Sequence, residues 1–435
     1  MGLCVFHHSR SRVALTIRIV GSTNGHIGKG MNDWLAVPQP RLGIVGVVAL
    51  IIWTGLTTPM ALDMYTPAVP AMVDAFSASE ATVNLTMVGY FVASSIGLLL
   101  FGTVSDKLGR KPVLLAGCFA YTTAALGCAA AGSIEVLIVL RIVCALGAGA
   151  AGAVGTAVVK DAIAEQHRDQ LIALIQVLFV IGPVISPVVG ALLLQITSWR
   201  GIFIALAVYG ALGIALSCLY RETLPDNERS TDSVLRTMGH LTRVLRNRGF
   251  SLFLLATALL STAFMAYIAV GSYVYEEFFG MSELAYSIFF AIAAIAGGFG
   301  PVVYLRICRR ITLRAFTTAI FVVTLAAGVA IIAFGWVSAV AFCAIFSVFG
   351  LIAGAVRAFS MSVLLNQQES DTGAVSSVMN FANTILGSGG MLLAVLPWPS
   401  FVFGVGAIMA AVAIVSLAIW AYVLKKPVTV KGVND

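Results

Sequence analysis

Charged side chains are scarce in this chain of 435 residues, because Lys, Arg, Asp and Glu together make up only 10% of it. Soluble globular domains carry roughly 25% charged residues. Hydrophobic residues account for 60% of the chain. This composition excludes a soluble domain and indicates a protein that crosses a membrane many times. The formal net charge of +7 does not point to nucleic acid, because the basic residues gather in alternate loops between apolar runs.

Histidine is missing from the apolar runs, and the sequence has no phosphate-binding glycine motif. The five histidines all lie outside these runs, so neither a metal cluster nor a histidine proton relay is predicted within the membrane. Lys29 lies between two glycines, but position 23 is Thr rather than Gly and no Ser or Thr follows the lysine, so a phosphate loop is excluded. We predict no cofactor, no nucleotide partner and no enzymatic activity.

Apolar runs of about 20 residues, the length that crosses a membrane about 30 Å thick, recur along the chain. We predict an all-α integral membrane fold with twelve transmembrane helices in two six-helix bundles, related by a pseudo-twofold axis. The predicted spans are residues 42–63, 81–102, 112–131, 134–158, 170–195, 200–220, 250–272, 284–304, 313–334, 337–358, 373–396 and 400–424.

The loops between these spans alternate in charge. Lys and Arg concentrate in every second loop, and the others contain none (residues 64–80, 131–134, 272–284, 334–337 and 397–400). Short loops rich in Lys and Arg stay on the cytoplasmic side. The pattern therefore predicts that both termini are cytoplasmic.

The chain divides into a tail, two bundles, a linker and a second tail. Residues 1–40 are predicted to be disordered or foreign to the native protein, with Met31 as an alternative start. The N-terminal bundle then covers 41–220, the linker 221–249, the C-terminal bundle 250–425 and a cytoplasmic tail 426–435. Apolar linker residues at helical spacing predict a basic amphipathic helix on the inner leaflet: Val234, Leu235, Met238, Leu241 and Leu245.

Residues 102–111 form a short polar stretch with four charged side chains between two apolar runs. The pattern G-x-x-x-D-x-x-G-R-K in this stretch resembles the signature loop of the major facilitator superfamily of secondary transporters. The resemblance implies that Asp106 meets the cytoplasmic ends of other helices and helps to hold an outward-facing state. It also implies that Gly102 and Gly109 give a tight turn and that Arg110 supplies a fixed charge.

Three further stretches are similar to the Bcr/CflA branch of that superfamily, the exporters of bicyclomycin and chloramphenicol. They are the end of span one from Asp63 to Pro70, the fourth span from Arg141 to Asp161, and the fifth-span pattern G-P-x-x-S-P-x-x-G. Cys144 stands where the branch usually has Gln, and Ser186 where it has Gly. The resemblance implies proton coupling through Asp63 and Arg141, and conformational gating by residues that include Lys160, Gly182, Pro183, Pro187 and Gly190.

Ionisable groups inside apolar spans are the strongest chemical signal that the residues themselves give, because each is costly to insert into a membrane. Asp63 is the only carboxylate in span one. It either lines a central cavity, where it could exchange a proton, or is solvated at the outer interface. Arg141 in span four either acts as a fixed charge beside an acid or is a structural cation bonded to backbone carbonyls. Arg357 in span ten is expected to snorkel to the inner interface.

A few neutral polar and aromatic side chains could line a pocket that suits amphipathic, mostly uncharged compounds. The alternative for each is a helix–helix hydrogen bond or a lipid-facing ring. The candidates are Asn84, Tyr90, Gln176, Tyr267, Asn380 and Asn383.

The resemblance implies a bacterial inner-membrane exporter, monomeric as is typical of the family, that exchanges small hydrophobic antimicrobials for protons. Its partners would be the drug, protons and the lipid bilayer, without nucleic acid. An exporter or importer of a metabolite, such as a sugar or an amino acid, is the alternative.

Overall fold

The computed structural model of the chain describes residues 34–229, 244–307, 310–367, 372–425, 430 and 433. These residues are almost entirely helical, and strand pairing among them is limited to an isolated bridge. The long helices, numbered in chain order, are α1 Gly43–Asp63, α2 Glu80–Leu108, α3 Arg110–Ala130, α4 Ile134–Ala162, α5 Glu165–Leu194, α6 Trp199–Leu219, α7 Arg248–Phe278, α8 Glu283–Ile307, α9 Leu313–Phe334, α10 Ala339–Asn366, α11 Thr372–Ala394 and α12 Phe401–Lys425. The predicted all-α integral membrane fold is confirmed.

Ten helices in the described part of the chain are long and apolar enough to cross a membrane. An eleventh is added if the two segments of α5, Glu165–Ile175 and Val180–Leu194, form one span bent by 43°. Helix α11 is not among them, because its two asparagines and its run of Gly and Ser make it less apolar. The twelfth span therefore stays a prediction.

The packing of the first six helices is repeated by the last six, so that each helix corresponds to the one six places later in the chain. Helix α2 packs along α4 as α8 packs along α10, and α3 packs against α6 as α9 packs against α12. The contacts between the halves obey the same shift, since α5 packs on α8 and α11 packs on α2. Two similar bundles related by a pseudo-twofold axis explain this repetition.

Residues just before α1 are tied to the N-terminal half. The indole of Trp34 stacks on the imidazole of His167 with ring centroids 3.9 Å apart, and Leu35 forms an antiparallel bridge with Ile163. The side chain of Gln39 donates to the carbonyl of Arg221 and accepts from its N–H. Residues 34–40, which sequence analysis assigned to the tail, thus pack on the bundle. The linker positions Val234, Leu235, Met238 and Leu241 and most of the predicted 1–40 tail lie outside the described residues.

The two ends of the helix bundle differ in charge. We call the end where α2 meets α3 the basic end, and the opposite end, where α1 stops and α2 begins, the acidic end. The acidic end carries Asp74, Glu80, Glu135, Glu277 and Glu283.

Hydrogen bonds join the two halves in the middle and at the acidic end. The amide of Asn84 donates to the carbonyl of Met391 (2.7 Å), and the hydroxyl of Ser287 donates to the carbonyl of Pro187 (3.0 Å). Ser95 and Thr384 share a hydrogen bond nearer the middle. The halves are therefore closed against each other at the acidic end.

Candidate functional site

The last residue of α1, Asp63, lies inside the protein. Only 3% of its surface is exposed, and its Oδ1 atom has no hydrogen-bond partner in the part of the chain that the structure describes. The chain turns directly after it into a 3-10 helix, Thr66–Ala68, where the hydroxyl of Thr66 donates to the Asp63 carbonyl. The structure thus favours the buried position over the solvated interface that sequence analysis left open. One oxygen of the buried carboxyl group therefore has no partner among the described residues.

Arg141 reaches this place from α4, where it lies two turns from the acidic end. Its side chain is fully buried, and its Nη1 atom donates to the carbonyl of Ala61, two residues before Asp63 (2.8 Å). Its Nε and Nη2 atoms have no hydrogen-bond partner among the residues described. Asp63 and Arg141 are therefore neighbours, but they do not form one of the ion pairs found among the described residues. The contact with Ala61 matches one predicted alternative, a structural cation bonded to a backbone carbonyl. The two nitrogens without a partner are compatible with the other alternative, a fixed charge beside an acid.

Aromatic rings complete the surroundings of Arg141. Its guanidinium carbon lies 4.3 Å from the ring centroid of Tyr65 and 4.2 Å from that of Tyr90. Cation–π contacts of this kind partly replace the hydration that a buried cation has lost. Within the described ranges, the hydroxyl groups of Tyr90 and of nearby Tyr121 lack hydrogen-bond partners. The site thus combines one carboxyl group, one guanidinium group and several polar atoms without a hydrogen-bond partner among the described residues, all within an apolar interior.

The polar stretch 102–111 is not the loop that sequence analysis predicted. Helix α2 continues to Leu108, and α3 begins at Arg110. Gly109, at φ +98°, is the one residue between the two helices. Gly109 makes the turn that the resemblance implied, because its φ lies in a region that favours glycine. Gly102 does not, because it lies inside α2 with open space beside it.

Arg110 is the centre of an ionic network at the basic end. It pairs with Asp106 on one side and, at 2.8 Å, with Asp161 of α4 on the other. Arg110 is nearly buried, whereas 47% of the Asp106 side chain is exposed. Lys160, next to Asp161, is exposed. Among the described residues Asp106 is thus bonded within the N-terminal half, and its role in an outward-facing state stays a prediction.

Glu222, which sequence analysis did not single out, caps this network. Its carboxylate accepts hydrogen bonds from the backbone N–H groups of Arg110 and Lys111, the first two residues of α3 (3.0 and 2.9 Å). Helix N-termini carry unpaired N–H groups that bind an anion. A glutamate two residues beyond an apolar run gives no such signal in sequence, because its partner lies 111 residues earlier in the chain.

The fifth-span motif lies where α5 touches α1. A Cβ on Gly182 would lie 2.7 Å from the ring of Pro59, and one on Gly190 would overlap the carbonyl oxygen of Met64. The bend of α5 lies between Ile175 and Val180, one to two turns before Pro183, and a proline inside a helix removes a hydrogen bond of the preceding turn. The carbonyl of Pro187 is the acceptor for Ser287 of the other half. The glycines therefore serve close helix packing, and the prolines serve the bend and the contact between the halves.

The five predicted pocket residues whose side chains the structure describes do not gather at one place. Asn84 bonds across the halves to Met391, and Asn383 accepts a hydrogen bond from Ser261 of α7. Both match the helix–helix alternative. Tyr90 lies on Arg141, whereas Tyr267 stacks on Phe346 in the C-terminal half with centroids 3.7 Å apart. Asn380 is exposed, and the side chain of Gln176 is outside the described residues.

Comparison with known proteins identifies the family. The model of the Major Facilitator Superfamily matches residues 51–391. The chain belongs to this superfamily. It is therefore a multi-pass membrane transporter rather than an enzyme, as the resemblance implied.

Named relatives are found among bacterial transporters. The chain is 29% identical over 287 residues to the uncharacterized MFS-type transporter YdgK of Bacillus subtilis, covering 63% of this chain and 70% of YdgK. It is 33% identical over 257 residues to a chloramphenicol resistance protein of Pseudomonas aeruginosa (59% and 60% covered). It is 29% identical over 242 residues to the multidrug resistance protein MdtL of Klebsiella pneumoniae (55% and 61% covered). The alignments thus span about three fifths of the two resistance proteins.

Solved structures share the fold. A bacterial homolog of the human lysosomal transporter Spinster, in an inward-facing conformation, superposes with a TM-score of 0.68 at 13% identity, covering 89% of this chain and 97% of that one. A D-xylose-proton symporter gives a TM-score of 0.64 at 14% identity, covering 86% and 97%. At these identities the likeness concerns the fold alone.

Proposed function

We propose that this transporter is a proton-driven exporter of small, hydrophobic, mostly uncharged antimicrobials, such as phenicols or bicyclomycin, and belongs to the Bcr/CflA branch. It would act in the bacterial inner membrane with both termini in the cytoplasm. Support comes from the chloramphenicol and multidrug resistance relatives. The observation that carries the proposal is the buried Asp63 carboxyl group, which has an unpartnered oxygen beside Arg141.

The mechanism follows from the contacts of Asp63. Protonation of its Oδ1 atom breaks no hydrogen bond to any described residue, because that atom has no partner among them. A guanidinium cannot give up its own proton, so Arg141 would act as a fixed charge that favours release of the proton from Asp63. Proton uptake and release would then alternate with drug binding as the two halves rock.

The driving force is sufficient for a substantial drug gradient. One proton that moves down a membrane potential releases roughly 2.3 kcal/mol per 100 mV, and every 1.4 kcal/mol corresponds to about a tenfold concentration ratio. No second energy source is needed in this proposal.

Replacement of Asp63 by Asn tests the proposal. Asp63→Asn should abolish chloramphenicol resistance in a drug-hypersensitive host, at an expression level equal to the wild type. Asp74→Asn is the matched control, since Asp74 lies at the same end of the bundle but is exposed, and it should leave resistance unchanged. Undiminished resistance in the Asp63 variant would remove this residue from the mechanism.

A further inference from the structure

Arg357 lies in α10, inside the helix and not at its end, and the expectation that its side chain reaches the inner interface stays a prediction. It stands nine residues before Asn366, the last residue of the helix. At 1.5 Å per residue this is roughly 13 Å from the basic-end terminus of the helix.

The residue lies on the interior side of the helix. The exposed residues Ala344, Val348 and Ser362 mark one side of α10, and at 3.6 residues per turn Arg357 is rotated roughly 140–180° away from them. Phe346 and Leu364, which are fully buried, lie within roughly 20° of Arg357 in the same projection. A residue in line with the core would be buried if the halves were closed at this depth.

Arg357 is nevertheless exposed. Helix α10 packs against α8, α9, α7 and α11, and its extensive packing among the described helices is all within the C-terminal half. The hydrogen bonds between the halves lie in the middle and toward the acidic end. An opening between the two halves toward the basic end would account for the exposure of Arg357 on this inward side.

No acid neutralises this arginine within the described residues. Arg357 takes part in no hydrogen bond or ion pair there. Ser360, less than one turn further along the helix and only 4% exposed, has a hydroxyl oxygen without a partner. Charged side chains inside membrane proteins are costly and as a rule paired, so an unpaired cation that lines an opening has an unused capacity to bind an anion.

We propose that Arg357 binds the carboxylate of amphipathic organic acids that enter this opening, with Ser360 as a second hydrogen-bond donor. The planar guanidinium matches a carboxylate with two parallel hydrogen bonds. The inference rests on the proposed export function in that the bound acid is taken to be cargo. It extends the cargo from uncharged compounds to compounds with an apolar body and one negative group.

A matched pair of probes separates the charge from the apolar body. The full chain in phosphatidylcholine nanodiscs is titrated with 1-naphthoate and with its neutral counterpart 1-naphthamide, without any proton gradient. The wild type should bind naphthoate about tenfold more tightly or better, where tenfold equals 1.4 kcal/mol. Arg357→Gln should abolish this preference and leave naphthamide binding intact, Arg357→Lys should keep part of it, and Ser360→Ala should weaken it.

The control is Arg314→Gln, because Arg314 is also an exposed arginine at the basic end. This variant should bind both probes as the wild type does. An equal affinity of the wild type for both probes, or a preference that survives Arg357→Gln, would overturn the inference. Loss of naphthoate binding on addition of phosphatidylglycerol would assign the site to lipid headgroups and overturn it as well. The titration does not depend on proton coupling, so the two proposals can fail separately. Resistance that survives Asp63→Asn would refute only the proposed mechanism. A missing preference for naphthoate would refute only this inference.

Discussion

Gly102 and Gly109 offer a direct test of the turn between α2 and α3, because both match the signature pattern but only one makes the turn. Gly109 has φ +98° and ψ 159°, a region that is essentially closed to other residues and costs about 1–3 kcal/mol to occupy. A Cβ there would also lie 2.6 Å from Oε2 of Glu222. Displacing that carboxylate from the α3 N-terminus costs about a further 0.5–2 kcal/mol, the usual worth of a helix cap.

Gly109→Ala should therefore destabilise the protein by about 1.5–5 kcal/mol, the sum of the backbone and cap costs. Gly102 lies within α2, and a Cβ there would meet nothing within 4 Å. Gly102→Ala should be neutral or stabilising by up to about 1 kcal/mol, the cost of glycine inside a helix.

The assay is the melting temperature of the detergent-purified protein, followed as the monodisperse fraction that survives heating. The expected order is Gly102→Ala at or above the wild type and Gly109→Ala well below it. Equal melting temperatures for the two variants, or the reverse order, would refute the assignment of the turn to Gly109 and the capping role of Glu222.

Further predictions concern contacts at the same end. Glu222→Ala should lower the melting temperature more than Asp226→Ala, because Glu222 accepts hydrogen bonds from the N-terminus of α3 whereas Asp226 pairs with Arg229 on the surface. Equal effects of the two substitutions would speak against the cap. A chain that starts at Met31 should insert and transport like the full chain, whereas one that starts at Arg41 should be less stable because it loses the contacts of residues 34–40. Equal thermal stability of the two truncations would show that these contacts contribute nothing.

The helical part of the fold could be predicted from the sequence, because apolar runs of membrane length are a local property. The predicted spans begin and end within several residues of most helices. The predicted helix bounds are wrong where a helix continues through polar residues. Residues 102–108 are polar, yet they extend α2, since a helix that leaves the membrane still satisfies its own backbone hydrogen bonds.

The site could be predicted only in part, because its members meet across distant segments. An acid and a base inside apolar runs are visible in sequence, and the structure does bring Asp63 and Arg141 together. The partners of the network at the basic end are not visible. Asp161 and Glu222 lie 51 and 112 residues from Arg110, and nothing in their local sequence distinguishes them from surface acids. The asparagines proposed for a pocket failed to gather for the same reason, since an amide in a helix shows its polarity but not its partner.

The position of Asp63 explains how one proton could act on a contact between two bundles. The 3-10 helix that follows it packs on α5 of its own half and on α7 and α8 of the other half. Gly190 of α5 touches the Met64 carbonyl, and Pro187, less than one turn earlier, accepts the hydrogen bond from Ser287 of α8. A change of charge at Asp63 therefore acts within a few residues of the closed acidic end. In the proposed antiport cycle no long pathway is needed between the proton site and the gate, because the same turn of chain belongs to both.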